Sequence, residues 1–193
     1  MISIWEKESF YKPVDVIIVG SGLMGLWTAY ELACRSPKLD ILIIERYNIP
    51  NGASTRNAGF ACFGSPTELL HNASMMGTDT MLDIVAARYR GIKKIRHVLG
   101  DEAIGFEPCG GYECINSDYK NFNELNDKIE WLNKLMSTIT DAAFTFKINN
   151  YQLPVLGLSG FDTLIQTPLE GALHSGLLVK SLMQLVKEKG VQI

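Results

Sequence analysis

The stretch that decides the fold is Val14–Val19, VDVIIV, followed at once by Gly20-Ser21-Gly22-Leu23-Met24-Gly25. The first six residues are a short, largely β-branched apolar run, as expected of a strand buried on both faces in a parallel sheet. Pro13 sits just before it, where a missing N–H costs little. The glycines break the run. From Leu23 to about Arg35 the apolar spacing turns helical, with Leu26, Ala29, Tyr30, Leu32 and Ala33 facing inward and Pro37 closing the helix. Leu39–Ile44 (LDILII) then reads as a second strand ending at Glu45. Strand, glycine turn, helix and strand in this order form the opening βαβ unit of a doubly wound sheet.

The turn matches G-x-G-x-x-G, and its place between a strand and a helix makes the match informative. Gly20 permits a tight turn, Gly22 lets a pyrophosphate approach the backbone, and Gly25 lets the helix pack close to the sheet. The helix N-terminus offers N–H groups and partial positive charge to phosphates, with Ser21 and Met24 inside the turn. Glu45 is placed to accept hydrogen bonds from ribose hydroxyls. The neighbouring Arg46 raises the option of a 2′-phosphate, but the Glu45 carboxylate would repel one, which disfavours NADP.

Working outward, the chain has 193 residues, 47% hydrophobic and 20% charged, with a formal net charge of -3. This is a globular balance with no basic stripe, so a nucleic-acid partner is not expected. No segment reaches the ~18 apolar residues of a membrane span, and Met1–Tyr11 lacks the order of a signal peptide. A cytoplasmic location is the expectation. The four cysteines, Cys34, Cys62, Cys109 and Cys114, show no zinc or dithiol spacing. They read as buried or partly buried free thiols, and no metal is expected.

Positions 46–74 read as a long irregular stretch rich in Gly, Asn, Ser and Pro, a length that is usually functional. Thr78-Asp79 reads as a cap for a helix from Thr80 to Leu99, with Ile84, Ala87, Tyr89, Ile92, Ile95 and Leu99 on its apolar face. Phe106–Ile115 reads as a kinked strand. Asn121 or Asn123 caps a helix to about Thr138, while Phe144–Ile148 and Tyr151–Leu156 read as strand pieces. A last helix runs from Leu177 to Lys189, with Gly190 closing it. Val191-Gln192-Ile193 begins a strand that would rejoin the first sheet. The expected organisation is a nucleotide-binding domain in 1–74, an inserted α+β part of a second domain in 75–168, and a return to the first domain in 169–193. The sequence reads as an N-terminal fragment whose C-terminal half is the missing partner. Trp5 and Trp131 read as core anchors and Trp27 as packing its helix against neighbours. His97 reads as a surface residue, and Tyr112, Glu113, Arg88 and Arg90 as structural or solvated.

The glycine turn alone does not separate NAD from FAD, and the segment that bears on the choice by resemblance is Gly52-Ala53-Ser54-Thr55-Arg56-Asn57-Ala58-Gly59-Phe60. It resembles the G-A-S-x-R-N-A-G segment of FAD-dependent oxidoreductases of the D-amino acid oxidase / glycine oxidase superfamily. Glu170–Val179 (EGALHSGLLV) is similar to that family's G-A-x-x-P-x-x-L-V, and Gly190–Ile193 to its G-V-x-I strand. Ser175 departs from the family's usual proline. The resemblance implies an incomplete Rossmann-like FAD-binding domain. It implies that Ser54, Thr55, Arg56 and Asn57 approach the pyrophosphate and ribityl region, and that Ala58, Gly59 and Phe60 approach the isoalloxazine. Short donors and a cation suit a diphosphate. Nothing around Cys62 or His71 matches a covalent flavin attachment motif, and His174 is a minor candidate for a cofactor contact. The implied activity is oxidation of the C–N bond of an amino acid or amine by hydride transfer to flavin N5. The alternatives are dehydrogenation of a 2-hydroxy acid or glycerol 3-phosphate, or a non-catalytic FAD-binding module. Catalytic residues, electron acceptor and oligomeric state stay unassigned at this level.

Overall fold

A computed structural model describes all residues, 1–193. The elements in chain order are α1 (Ile4–Ser9), β1 (Val16–Val19), α2 (Leu23–Arg35), β2 (Ile41–Ile44), β3 (Phe60–Ala61), α3 (Pro66–Met76), α4 (Thr78–Leu99) and α5 (Asp101–Ile104). They continue with β4 (Gly111–Ile115), a short 3-10 turn (Phe122–Glu124), α6 (Leu125–Thr140), β5 (Lys147–Ile148), α7 (Gln152–Val155), β6 (Thr163–Thr167), β7 (Gly171–Ala172) and α8 (Ser175–Glu188). The chain divides into two units: Met1–Ala58 with His174–Ile193, and Gly59–Leu173. Phe60–Ala61 pairs antiparallel with Gly171–Ala172 and ties both ends of the second unit together.

In the first unit β1 and β2 pair in parallel, Val16 opposite Ile41 through Val19 opposite Ile44. Gln192 bridges Leu42 in parallel on the other edge of β2, its N–H donating to the Ile41 carbonyl and its carbonyl accepting from Ile43 N–H. The terminal apolar-polar-apolar triplet thus joins the sheet, as expected of Val191–Ile193. Helices α2 and α8 pack together. Leu26, Ala29 and Ala33 of α2 are buried, as are Leu178, Val179, Leu182 and Val186 of α8. Tyr30 and Leu32 are only half-buried. Trp27 meets Tyr30 edge-on at 5.3 Å.

The expectation that β1 is buried on both faces is corrected. Ile17 is 56% and Val19 86% exposed, and with their partners Leu42 and Ile44 they share one face of the pleat. Ile18 points the other way, toward α2. Trp5 is likewise no core anchor. It is 76% exposed on α1, a helix held locally by a Ser3–Glu6 capping box and burying none of its residues.

The second unit places α3, α4 and α6 around one core with the antiparallel sheet β4-β6-β5. Phe63, Leu69, Met81, Val85, Leu132, Met136, Phe146 and Ile165 are its centre. Phe63 contacts Tyr89 edge-on at 5.4 Å and Phe146 at 6.4 Å. On α4 the buried stripe is Met81, Val85 and Tyr89, a single i, i+4, i+8 row. The expected set mixed this row with a neighbouring one, so Ala87 is exposed. Trp131 lies off the buried stripe Leu125, Ile129, Leu132, Met136 of α6 and is 39% exposed, which corrects its reading as an anchor.

Three further expectations are overturned. The irregular stretch ends at Ser65, because Ser65-Pro66 starts α3 with proline in the first turn and Glu68 follows there. Tyr151–Leu156 is not a strand. Its centre forms α7, with Leu156 N–H closing onto the Gln152 carbonyl. Of Phe144–Ile148 only Lys147–Ile148 pairs as strand. The cysteines are free but less buried than expected: Cys34, Cys62 and Cys109 are exposed and Cys114 is intermediate. Cys62 alternates with buried Ala61 and Phe63, which puts it on the outer side. No helix is long and apolar enough to cross a membrane.

Two buried side chains replace missing ladder partners. The Asn133 amide donates to the Phe146 carbonyl at 2.9 Å and accepts Phe146 N–H at 2.8 Å. Glu170 accepts Phe63 N–H at 2.9 Å, and its burial pushes the carboxyl above its ordinary range. Asn133→Ala strands a buried N–H and carbonyl together, so urea denaturation should show about 2–4 kcal/mol of lost stability. An unchanged midpoint would mean that Phe146 finds other partners.

Candidate functional site

The first unit gathers the sequence-singled residues around the N-terminus of α2. Gly20 adopts φ +97°, open to glycine and strained for other residues. Gly25 faces the turn so closely that an added Cβ would lie 2.0 Å from the Gly20 carbonyl oxygen. That contact is with backbone and cannot give way, so the third glycine is required by helix–turn packing. At Gly22 an added Cβ would meet the Ser54 hydroxyl at 2.9 Å. The second glycine therefore makes room for the 52–57 loop itself.

This approach is a bond. Leu23 N–H, first in α2, donates to Ser54 Oγ at 3.0 Å. Gly22, the N-cap residue, offers no side chain, so Met24 and Gly25 N–H receive no cap from it. Ser54 Oγ accepts here, and its own proton has no acceptor within the protein. The corner thus presents N–H groups, one hydroxyl proton and the positive end of a 13-residue helix. Arg56 is exposed and pairs with no carboxylate. Such a donor set suits a diphosphate and no cation.

The loop holds its shape by internal bonds. Thr55 and Arg56 N–H donate to the Gly52 carbonyl, and Thr55 Oγ1 donates to Pro50 O at 3.1 Å. The Thr55 hydroxyl is thereby turned into the loop, whereas the sequence reading had it facing a phosphate. Asn57 Nδ2 donates to the carbonyls of Ala53 and Ser54 at 2.8 and 3.2 Å. Asn57 Oδ1 lies 2.6 Å from the hydroxyl of Ser175, first residue of α8. Sequence reasoning missed this contact; its only trace was serine where proline was expected. His174, ahead of α8, caps it through Nδ1, which accepts Leu177 N–H at 3.2 Å.

Glu45 closes the other side of the turn. Its Oε2 accepts Ser21 N–H and Ser21 Oγ–H, both at 2.8 Å. Its Oε1 accepts Arg46 and Tyr47 N–H at 2.9 and 3.2 Å. Ser21 is fully buried. These bonds, the Ser21 amide first, lower the carboxyl pKa to about 2. Glu45 is therefore an anion throughout the physiological range. The Arg46 guanidinium lies over the Tyr47 ring at 4.8 Å.

Gly20, Ser21, Gly22, Met24, Gly25, Glu45, Arg46, Ser54, Thr55, Arg56, Asn57 and Ala58 all belong to the first unit. Gly59 and Phe60 belong to the second. There the Gly59 carbonyl accepts Leu173 N–H at 2.8 Å, and Phe60 is 77% exposed on β3. Among the residues read as structural, Glu113 accepts Ser65 Oγ–H and Thr67 N–H at the start of α3, and Arg88 pairs with Glu68 at 2.8 Å. His97 is exposed on α4.

The folded pKa of Glu45 lies below that of the unfolded chain, about 4.3. Its contribution to stability is complete above about pH 4.5 and is lost as pH falls toward 2. Ser21→Ala removes the hydroxyl donor, so the Glu45 carboxyl carbon, followed by NMR, should titrate at higher pH. An unshifted titration would remove Ser21 from the account.

A sequence profile described as FAD dependent oxidoreductase matches residues 15–193. The L-2-hydroxyglutarate dehydrogenase, mitochondrial, of Dictyostelium discoideum is 40% identical over 77 residues, 37% of this chain and 17% of that protein. The Bifunctional protein ThiO/ThiG of Synechocystis sp. is 31% identical over 100 residues, 50% of this chain and 14% of that protein. Glycine oxidase from Bacillus cereus superposes with a TM-score of 0.64 at 19% identity, covering 94% of this chain and 47% of that one. This likeness is one of fold. The chain spans about half the length of that solved structure and under a fifth of the two curated relatives. With a match over nearly its whole length, the chain belongs to the family of FAD dependent oxidoreductases.

Proposed function

We propose that this chain supplies the nucleotide-binding corner of an FAD-dependent enzyme that oxidises the C–N bond of an amino acid or amine. The observation that carries the reading is the Leu23–Ser54 bond, which puts the glycine turn and the 52–57 loop at one anion-facing corner. The residues present fit the cofactor. Met24 and Gly25 N–H and the Ser54 hydroxyl would hold the pyrophosphate, with Arg56 balancing its charge. Glu45 would take an adenosine ribose hydroxyl. Its four acceptor positions already carry donors, and the Ser21 hydroxyl, free to rotate, is the one that yields. A carboxylate that stays ionised down to about pH 2 repels a 2′-phosphate, which favours FAD over an NADP-type ligand. On the resemblance alone, Ala58, Gly59 and Phe60 would approach the flavin ring.

When bound, FAD would supply the hydride acceptor for oxidation at the carbon bearing the nitrogen. The contribution of this chain is to fix the dinucleotide by preformed donors that need no reordering on binding. The second unit, Gly59–Leu173, is proposed as part of the substrate-binding domain. A second reading, oxidation of a 2-hydroxy acid, is favoured by the 40% identity to the hydroxyglutarate dehydrogenase.

The test uses full-length, flavin-loaded protein under anaerobic conditions, with amino acids, amines, 2-hydroxy acids and glycerol 3-phosphate added in turn. Bleaching of the visible flavin band by an amino acid or amine is expected. Bleaching by 2-hydroxy acids alone would replace the reading with the second one, and no bleaching at all would mark a binding module. Arg56→Ala should raise the FAD Kd about tenfold, the loss of one charge-assisted bond.

A further inference from the structure

We infer that Ser175 is a positioning residue of the cofactor loop, a hydroxyl latch that holds 53–57 in its working shape. The inference rests on the FAD-binding reading for its function, and on geometry for its existence. Ser175 is nine-tenths buried, and its Oγ lies 2.6 Å from Asn57 Oδ1. The direction of this bond is fixed by the other end of the same amide. Asn57 Nδ2 faces the Ala53 and Ser54 carbonyls, which only accept, so the atom facing Ser175 is the carbonyl oxygen and also only accepts. The Ser175 hydroxyl must donate.

The bonds then run in series. Ser175 holds the Asn57 amide, the amide holds the carbonyls of Ala53 and Ser54, and Ser54 Oγ accepts Leu23 N–H at the start of α2. One hydroxyl at the start of α8 thus sets where the Ser54 hydroxyl stands against the glycine turn. Proline, the residue that the resemblance leads one to expect at 175, has no donor and cannot make this latch. It does suit the backbone, since Ser175 is the first helical residue and follows an extended His174 (φ -89°, ψ 101°). Helix start and latch are therefore separable by substitution.

The experiment compares Ser175→Ala, Ser175→Pro and Ser175→Thr in the full-length protein. Amide exchange without added FAD is read at Leu23 and at the α8 amides of Leu182 and Val186, and FAD Kd by titration of the apoprotein. The latch predicts that the Ala and Pro variants exchange about fivefold faster at Leu23 and bind FAD about fivefold more weakly, what one net hydrogen bond yields. Their α8 amides should keep native protection, and Thr, which retains the hydroxyl, should behave as native at every position. Native exchange at Leu23 in Ser175→Pro overturns the latch. So does equal loss of protection across α8 in both variants, which would mean that Ser175 serves only its helix. Should the native protein bind no FAD, the proposed function falls, while Leu23 exchange still decides the latch.

Discussion

The first unit depends on a helix N-terminus whose leading amide is taken by a serine from a separate loop. An uncapped N-terminus exposes unsatisfied N–H groups and partial positive charge. Gly22 gives α2 no side-chain cap, and Ser54 reaches in to accept only the first N–H. The capping is thereby partial. It fixes the loop against the helix and leaves the next amides facing the same corner. A Cβ at Gly25 would strike the Gly20 carbonyl, which cannot give way, and one at Gly22 would crowd the Ser54 hydroxyl.

The turn is gripped from its other side by charge. Glu45 spends both oxygens on backbone and hydroxyl donors from Ser21 and its own strand end. An acid at the end of β2 therefore has two tasks. It orders the glycine turn, and in the proposed function it would also take an adenosine ribose hydroxyl. The closing segment, His174–Ile193, completes the arrangement by adding α8 beside α2 and Gln192 beside β2. A unit assembled from the two ends of the chain has its geometry decided by contacts far apart in sequence, Ser175–Asn57 and Gln192–Leu42 among them.

Legibility in the sequence followed the range of the deciding interaction. Helix α2 was readable in its extent and in the 26-29-33 part of its buried face, because glycines mark its start, while Tyr30 and Leu32 lie shallower than their apolar spacing suggested. The approach of the 52–57 loop to the glycine turn was anticipated from the resemblance, but its chemistry was not. Which of Ser54 and Thr55 would face outward depends on a turn closed by the Gly52 and Pro50 carbonyls, and no local pattern encodes that. Helix α3 was missed although Ser65, Pro66 and Glu68 carry a start signal, since the surrounding glycines dominated the reading. The Tyr151–Leu156 segment contains Pro154 and too few residues for a period to emerge, so strand and short helix were not separable. The burial of β1, Trp5 and Trp131 was overestimated because hydrophobicity shows what a residue can bury, not what comes to cover it.

The most direct measurement of the central claim is the affinity of the full-length apoprotein for FAD against FMN, which shares the isoalloxazine but lacks the diphosphate bridge and the adenosine. A preformed corner built from the α2 N-terminus, Ser54, Arg56 and Glu45 predicts binding of FAD about a hundredfold tighter or more, the worth of two charge-assisted bonds at the lower end of their range. Equal affinity for the two flavins would contradict it, because the grip on the ligand would then lie outside the glycine turn and its loop.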